Sequence, residues 1–282
     1  MAAVREVPDV PRVPWEAFLK SFRWKPGEHI LIYGTTGRGK TTLAGYLLPL
    51  RKYVVALDFK GDDPGLLRWG WPSSPQWPIP NERRLLTPRV EQRRGRRVAV
   101  VDPIRVRLAP PVITREDRGL AAEVFESCLE DVLRVGRWCV YVDELLLAVD
   151  RREYDLEDPI RRILVSGRSR GASIVNSTQS LRGIPARAYD QPTHFIMIPP
   201  RDWYGIERLE EVTGLGRGLR PLLGGLGKHD FLYASGDKYL ISRAPKPSDP
   251  VPQPMEQAPP PPPTTDEPPN RGAGKVKRAL WG

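Results

Sequence analysis

Residues 34–42 read Gly-Thr-Thr-Gly-Arg-Gly-Lys-Thr-Thr and follow directly on the apolar run Ile30-Leu31-Ile32-Tyr33. Gly34, Gly39, Lys40 and Thr41 satisfy the spacing G-x-x-x-x-G-K-[ST], the pattern of a phosphate-binding loop. No other feature of the chain constrains its fold as strongly. Such a loop works only between a buried strand and a helix N-terminus, and the residues after Thr41 (Thr-Leu-Ala-Gly-Tyr-Leu-Leu) continue as a helix. Glycines let successive backbone N–H groups turn inward on a polyphosphate, and the helix start adds the positive end of its dipole. The pattern therefore assigns Gly34, Thr35, Thr36, Gly37, Arg38, Gly39, Lys40, Thr41 and Thr42 to nucleotide. Lys40 reaches the β- and γ-phosphates, and the Thr41 hydroxyl completes the coordination of Mg²⁺.

The rest of the chain supports an α/β reading. Tyr53 to Leu57 are wholly apolar, as expected of a parallel strand buried on both faces. Thr114 with Asp117 three residues on starts a long helix that Gly136 ends, and Leu120, Val124, Phe125, Cys128, Leu129, Val132 and Leu133 give it one apolar stripe. Strand patterns recur at residues 98–102, 138–144, 172–179 and 193–198, with helical patterns around 158–168 and 202–214, and a hairpin turns about Ser235-Gly236-Asp237. Strands alternating with helices predict a mostly parallel, doubly wound sheet. Cys128 and Cys139 lie in apolar contexts without metal-ligand spacing and read as small core residues.

A phosphate loop alone leaves kinases, GTPases and motors open. Residues 139–144, Cys-Val-Tyr-Val-Asp-Glu, narrow the choice. Asp143 at the end of an apolar strand fits the carboxylate that holds Mg²⁺, and Glu144 beside it is placed to orient and activate an attacking water as a general base. The guanine-specifying N-K-x-D pattern is absent, and ATP hydrolysis is favoured. Gln179 falls at the carboxyl edge of the next strand, where open α/β sheets place their ligands. From there it touches both the γ-phosphate and the attacking water.

With these motifs in view, the chain resembles the FtsK–HerA superfamily of DNA-pumping ATPases. The resemblance is carried by the phosphate loop, by Asp58-Phe59-Lys60-Gly61 after the second strand, by the Asp143-Glu144 strand, and by residues 166–185, which include G-R-x-x-G and Thr178-Gln179. It covers about residues 28–243. It implies a RecA-like core of the additional-strand, catalytic-glutamate kind, with the Gln179 strand between the phosphate-loop and acidic strands. It also implies a homo-oligomeric ring, with a hexamer favoured, nucleotide at subunit interfaces and double-stranded DNA through the centre. An arginine from one subunit would complete the next subunit's site; Arg168 matches that position best and Arg170 second. A compact chain with a Pro-rich tail and no membrane span is most like the viral genome-packaging ATPases. The alternative function is a nucleotide-dependent assembly factor that acts on protein partners without pumping DNA.

Three domains are expected: an N-terminal extension over 1–27, an ATPase core over 28–243, and a disordered Pro-rich tail over 244–282. The core carries a Trp/Pro- and Arg-rich insertion at about 70–97. A formal net charge of +10 implies a polyanionic partner. The basic stretch 83–97 and the loop with Trp69, Trp71 and Trp77 face DNA or a docking partner, or else the tryptophans anchor the insertion on the core. Residues 259–263 are five consecutive prolines, which cannot pair into a sheet and read as a spacer toward a capsid or portal protein. Without an apolar run of membrane length, the chain is expected in the cytoplasm, the host's if it is viral, or with the virion.

Overall fold

The computed structural model describes residues 9–79, 89–93, 96–100, 102–112, 114–201 and 203–246. In chain order these form α1 (Trp15–Ser21), β1 (Ile30–Tyr33), α2 (Lys40–Leu47), β2 (Tyr53–Leu57), α3 (Pro64–Leu67), β3 (Ser73–Ser74), β4 (Arg89–Arg93), β5 (Arg96–Val100) and β6 (Ile104–Leu108). There follow α4 (Arg115–Val135), β7 (Cys139–Val142), α5 (Leu145–Val149), α6 (Glu157–Arg170), β8 (Ser173–Thr178), α7 (Arg187–Asp190), β9 (His194–Met197), α8 (Ile206–Val212), α9 (Leu219–Gly224), β10 (Asp230–Ser235) and β11 (Lys238–Arg243).

Nine strands make one sheet in the order β11-β10-β9-β1-β8-β7-β2-β6-β3. The seven from β9 to β3 run parallel, and the β10–β11 hairpin closes one side antiparallel, turning at Gly236. This is the predicted doubly wound α/β sheet, and β8 lies between β1 and β7 as the resemblance implied.

Alternation along each strand divides the core between two faces. Leu31, Tyr33, Val55, Leu57, Val140, Val142 and Ile174 join Phe125, Leu129 and Val132 of α4 and Ile160, Ile163 and Leu164 of α6 on one face. Ile30, Ile32, Val54, Ala56, Tyr141 and Val175 join Trp15 and Phe18 of α1 and Leu43, Ala44 and Leu47 of α2 on the other. A strand covered on both sides has no polar face to show, which is why β1, β2 and β7 read as unbroken apolar runs. Thr114 and Asp117 form the reciprocal capping box that starts α4, and Gly136 ends it.

The first described residues pack against the core. Val13 N–H donates to Ile241 O at 2.8 Å and Ile241 N–H to Pro11 O at 2.9 Å, so residues 11–13 follow the outer side of β11. Phe18 of α1 then packs edge-on against Phe231 and Tyr233 of β10, with centroids 5.1 and 5.3 Å away.

One expectation needs correction. The strand expected over 98–102 does not join the main sheet; β5 pairs with β4 in a separate two-stranded hairpin. The main-sheet strand is β6, whose Ile-Arg-Val-Arg-Leu alternates with a period of two. The two arginines face away from the apolar positions and find oxygens: Arg105 donates to Pro49 O at 3.1 Å, and Arg107 pairs with Asp58.

The tryptophans of the insertion anchor it. Trp69 packs at a tilt against Trp71 and Tyr141, with centroids 4.8 and 5.3 Å away. Trp77 is buried against Trp138 and donates to Asp131 at 3.1 Å. Most of the basic stretch 83–97 lacks described side chains, and the Pro-rich stretch from 247 onward, with its five prolines, lies outside the described residues. Among the described residues no helix is long and apolar enough to cross a membrane.

Candidate nucleotide site

Parallel strands deliver their loops to one edge of the sheet. The loop after β1 turns on Gly34, with φ +147°, and Gly39, with φ +98°. At Gly34 a Cβ would fall 2.6 Å from Ile198 O, so a side chain is excluded by the neighbouring backbone. Gly39 is the N-cap of α2, and its positive φ swings the chain from loop to helix so that Lys40 opens the first turn. The Lys40 ammonium is buried and donates to Gly34 O at 2.8 Å, across the hollow of the loop. Burial lowers its pKa, and Glu144 and Asp143 work in the opposite direction.

One residue past β7, Asp143 accepts from Thr41 Oγ1 at 3.0 Å and, in a very short bond, from the buried Tyr141 hydroxyl. A hydroxyl and a carboxylate fixed side by side are the hard oxygen donors that Mg²⁺ takes alongside phosphate oxygens and water. The donor set therefore fits Mg²⁺ at Thr41 and Asp143. Among the described residues there is no cluster of three or more His, Cys, Asp or Glu side chains that could enclose a metal without a ligand's help.

Glu144 occupies the N-cap position of α5 but makes no capping hydrogen bond. Its Oε2 accepts instead from Gln179 Nε2 at 2.8 Å, reaching from β7 to β8. Burial raises the Glu144 pKa, opposed by that hydrogen bond and by the charges of Lys40 and Lys60. A desolvated carboxylate is a stronger base than a hydrated one, and Gln179 fixes its direction.

These groups line one open cavity of about 740 Å³. Of the residues assigned from sequence, Thr36, Gly37, Gly39, Lys40, Thr41, Thr42, Asp143, Glu144 and Gln179 line it. Gly34, Thr35 and Arg38 belong to the same loop without lining it; Thr35 Oγ1 donates to Pro199 O at 3.1 Å. Arg168 is elsewhere. It lies in the last turn of α6, with its backbone against Gly27 and its charge beside His29, where β1 begins rather than ends. Arg170 is two residues farther along the same turn. Within one chain neither arginine reaches the cavity.

The cavity also has walls that sequence reasoning did not assign. Lys60 and Asp63 come from the loop after β2, and Arg68 from the end of α3. Lys228 and His229 precede β10, and Arg243, Ala244, Pro245 and Lys246 follow from β11. These last arrive because β10 is antiparallel, so the hairpin starts and ends at the edge where the parallel strands finish. Tyr46 of α2 donates to Lys246 O at 2.6 Å, and Ala244 N–H to His229 O at 2.8 Å. Residues 244–246, expected to open the tail, are thus held against the core.

No protein-family model matches the chain, and no curated protein does. Solved structures do. The genome packaging NTPase B204 from Sulfolobus turreted icosahedral virus 2, in complex with ATPγS, matches with a TM-score of 0.52 at 13% identity, over 81% of this chain and 100% of its own. The DNA-packaging ATPase B204 from Sulfolobus turreted icosahedral virus matches at 0.52 and 15%, over 79% and 100%. VirB4 of Thermoanaerobacter pseudethanolicus matches at 0.51 and 13%, over 77% and 89%. The likeness shows the fold, a mostly parallel α/β sheet of the RecA-like P-loop kind.

Proposed function

We propose that the protein hydrolyses ATP to move double-stranded DNA, as the motor that packages a viral genome. The observation that carries the chemistry is the half-buried Glu144 carboxylate, held by Gln179 at 2.8 Å in the cavity shared with Lys40 and the Thr41–Asp143 pair. Backbone N–H groups of the loop bind the phosphates, and Lys40 exchanges Gly34 O for the β/γ-phosphates, a stronger charge-assisted bond. Thr41 and Asp143 would hold Mg²⁺, which would supply charge neutralisation to the phosphates. Glu144 accepts the proton of the attacking water. Gln179, bonded to Glu144 and standing over the same cavity, passes the state of the terminal phosphate to β8.

The polyanion is double-stranded DNA and the assembly a ring of identical subunits, a hexamer favoured. Support comes from the packaging ATPases among the matching folds and from the +10 net charge. In such a ring Arg168 acts in trans, which agrees with its distance from its own cavity; Arg170 is the second candidate. The chain from 247 onward engages a capsid or portal protein, in the host cytoplasm or on the virion.

The test is ATP hydrolysis by the purified chain with and without long duplex DNA, with Lys40→Ala as the inactive control. Stimulation by duplex supports the motor. Indifference to DNA together with stimulation by a capsid or portal protein supports the assembly factor instead. Equal turnover by Lys40→Ala overturns the site.

A further inference from the structure

The loop between β2 and α3 is built around a buried carboxylate. Asp58 accepts the N–H groups of Lys60 at 3.1 Å, Gly61 at 3.0 Å and Asp63 at 3.3 Å. Arg107 closes an ion pair with it, and the same guanidinium donates to Gly61 O at 2.9 Å. Gly61 has φ +77°, the left-handed turn that this wrapping requires. Asp58 is wholly engaged in holding backbone, and the loop around it is fixed in place.

That loop also abuts the phosphate loop. A Cβ on Gly65 would fall 3.0 Å from Thr41 Cγ2, so the lack of a side chain there lets the start of α3 lie close to the residue assigned to Mg²⁺. What the loop presents to the cavity is Lys60. Its side chain is 60% exposed, lines the cavity beside Lys40, Asp143 and Glu144, and donates to Asp63 at 2.9 Å. Lys60 is still hydrated, and the 13% exposed Asp63 keeps the N–H donors of Gly65 and Leu66, so a phosphate can draw the ammonium away from the aspartate. Asp63 keeps other work when released, because it caps α3 by accepting from Gly65 N at 2.8 Å.

The register fixes which phosphate is within reach. Leu57 of β2 pairs with Val142 of β7, so Lys60 leaves the sheet beside Asp143 and Glu144. The loop amides and Lys40 serve the inner phosphates, whereas Glu144 stands where the terminal phosphate and its water belong. We propose that Lys60 is a second phosphate-binding lysine, which leaves Asp63 to contact the γ-phosphate of a bound nucleoside triphosphate. The proposal rests on the nucleotide reading above. A lysine suits the task because it is a mobile point charge on a long stem and can follow charge that moves during transfer.

Direct binding of ADP and of ATPγS, each with Mg²⁺, to the full chain tests the assignment, using wild type, Lys60→Met and Lys60→Arg. Loss of a charge-assisted contact should weaken ATPγS binding to Lys60→Met by about 10- to 100-fold. ADP should bind within about twofold of wild type, and Lys60→Arg should regain most of the ATPγS affinity. Equal losses for ADP and ATPγS would overturn the proposal, because the lysine would then serve the inner phosphates or the loop. Unchanged binding of both would overturn it too, leaving Lys60 as the partner of Asp63 alone. A wild-type chain that binds neither nucleotide would overturn the nucleotide reading and this inference with it.

Discussion

Replacing Arg107 by methionine should cost this fold more than any exposed ion pair could. The Arg107 and Asp58 side chains are 9% and 1% exposed. By contrast, the Arg161–Asp158 pair on α6 is 51% and 62% exposed, in the range where ion pairs contribute about 0–1 kcal/mol. Removing one partner of a buried pair leaves an uncompensated charge, at about 3–5 kcal/mol. Arg107→Met should lie near the lower end, since Asp58 keeps its three N–H donors. Asp58→Asn should lie higher, because the guanidinium would keep only Gly61 O. The double variant should fall short of the sum of the single losses by at least about 2 kcal/mol, as expected for groups in direct contact. Urea unfolding reads this out: with slopes of about 1–3 kcal/mol per molar, each single variant should shift the midpoint by about 1 M or more. Single losses below about 1 kcal/mol that simply add would refute the reasoning and make the pair equivalent to a surface one.

Glu144→Gln should reduce ATP hydrolysis by about 100-fold or more while ATPγS binding stays within a few-fold, since the amide keeps the shape and loses the base; wild-type turnover would move the catalytic carboxylate elsewhere. The His29 pKa is lowered to about 4, first by burial and then by the charges of Arg168 and Arg51, while its Nδ1 accepts from Ile174 N–H at 3.1 Å. Its folded pKa lies below the unfolded 6.5, so its contribution is complete above pH 6.5 and is lost as pH falls toward 4. Stability should drop by about 2 kcal/mol between pH 6.5 and 5, measured by urea midpoint, and a His29→Gln chain should show a flatter profile; the buried His194, also lowered, adds in the same direction. Ending the chain after Lys246 should leave nucleotide affinity unchanged. Ending it after Arg243 removes the Tyr46–Lys246 bond and should weaken affinity by about fivefold, by direct titration; equal affinities would mean that residues 244–246 are idle.

The phosphate loop, the buried strands and the caps of α4 were legible because each depends on neighbours within a few positions. Glycine spacing, unbroken apolar runs and Thr114-x-x-Asp117 are local statements about backbone geometry. The place of β8 between β1 and β7 is a statement about distant segments, and only the family resemblance supplied it. Strand β6 was missed because two of its five residues are arginines, a signal for solvent until Asp58 and the Pro49 carbonyl are known to wait beside them. Lys228, His229 and residues 243–246 were missed for a related reason. Nothing in their composition marks them, and they reach the cavity only through the antiparallel turn of the last hairpin. Arg168 shows the converse. Its motif suggested a place at the nucleotide, yet its position at the beginning of the strands separates it from the cavity of its own chain.

The three residues that follow β11 also set a mechanical relation. Ala244 is tied to His229, and the Lys246 carbonyl to Tyr46, on the helix that carries Lys40 and Thr41. Everything after Lys246 is therefore attached at the mouth of the nucleotide cavity. A pull on the last part of the chain would be shared between α2, through the Tyr46–Lys246 hydrogen bond, and the β10–β11 hairpin, through the chain itself and the Ala244–His229 bond. Under the proposed function, tension and nucleotide would then act on the same helix, α2.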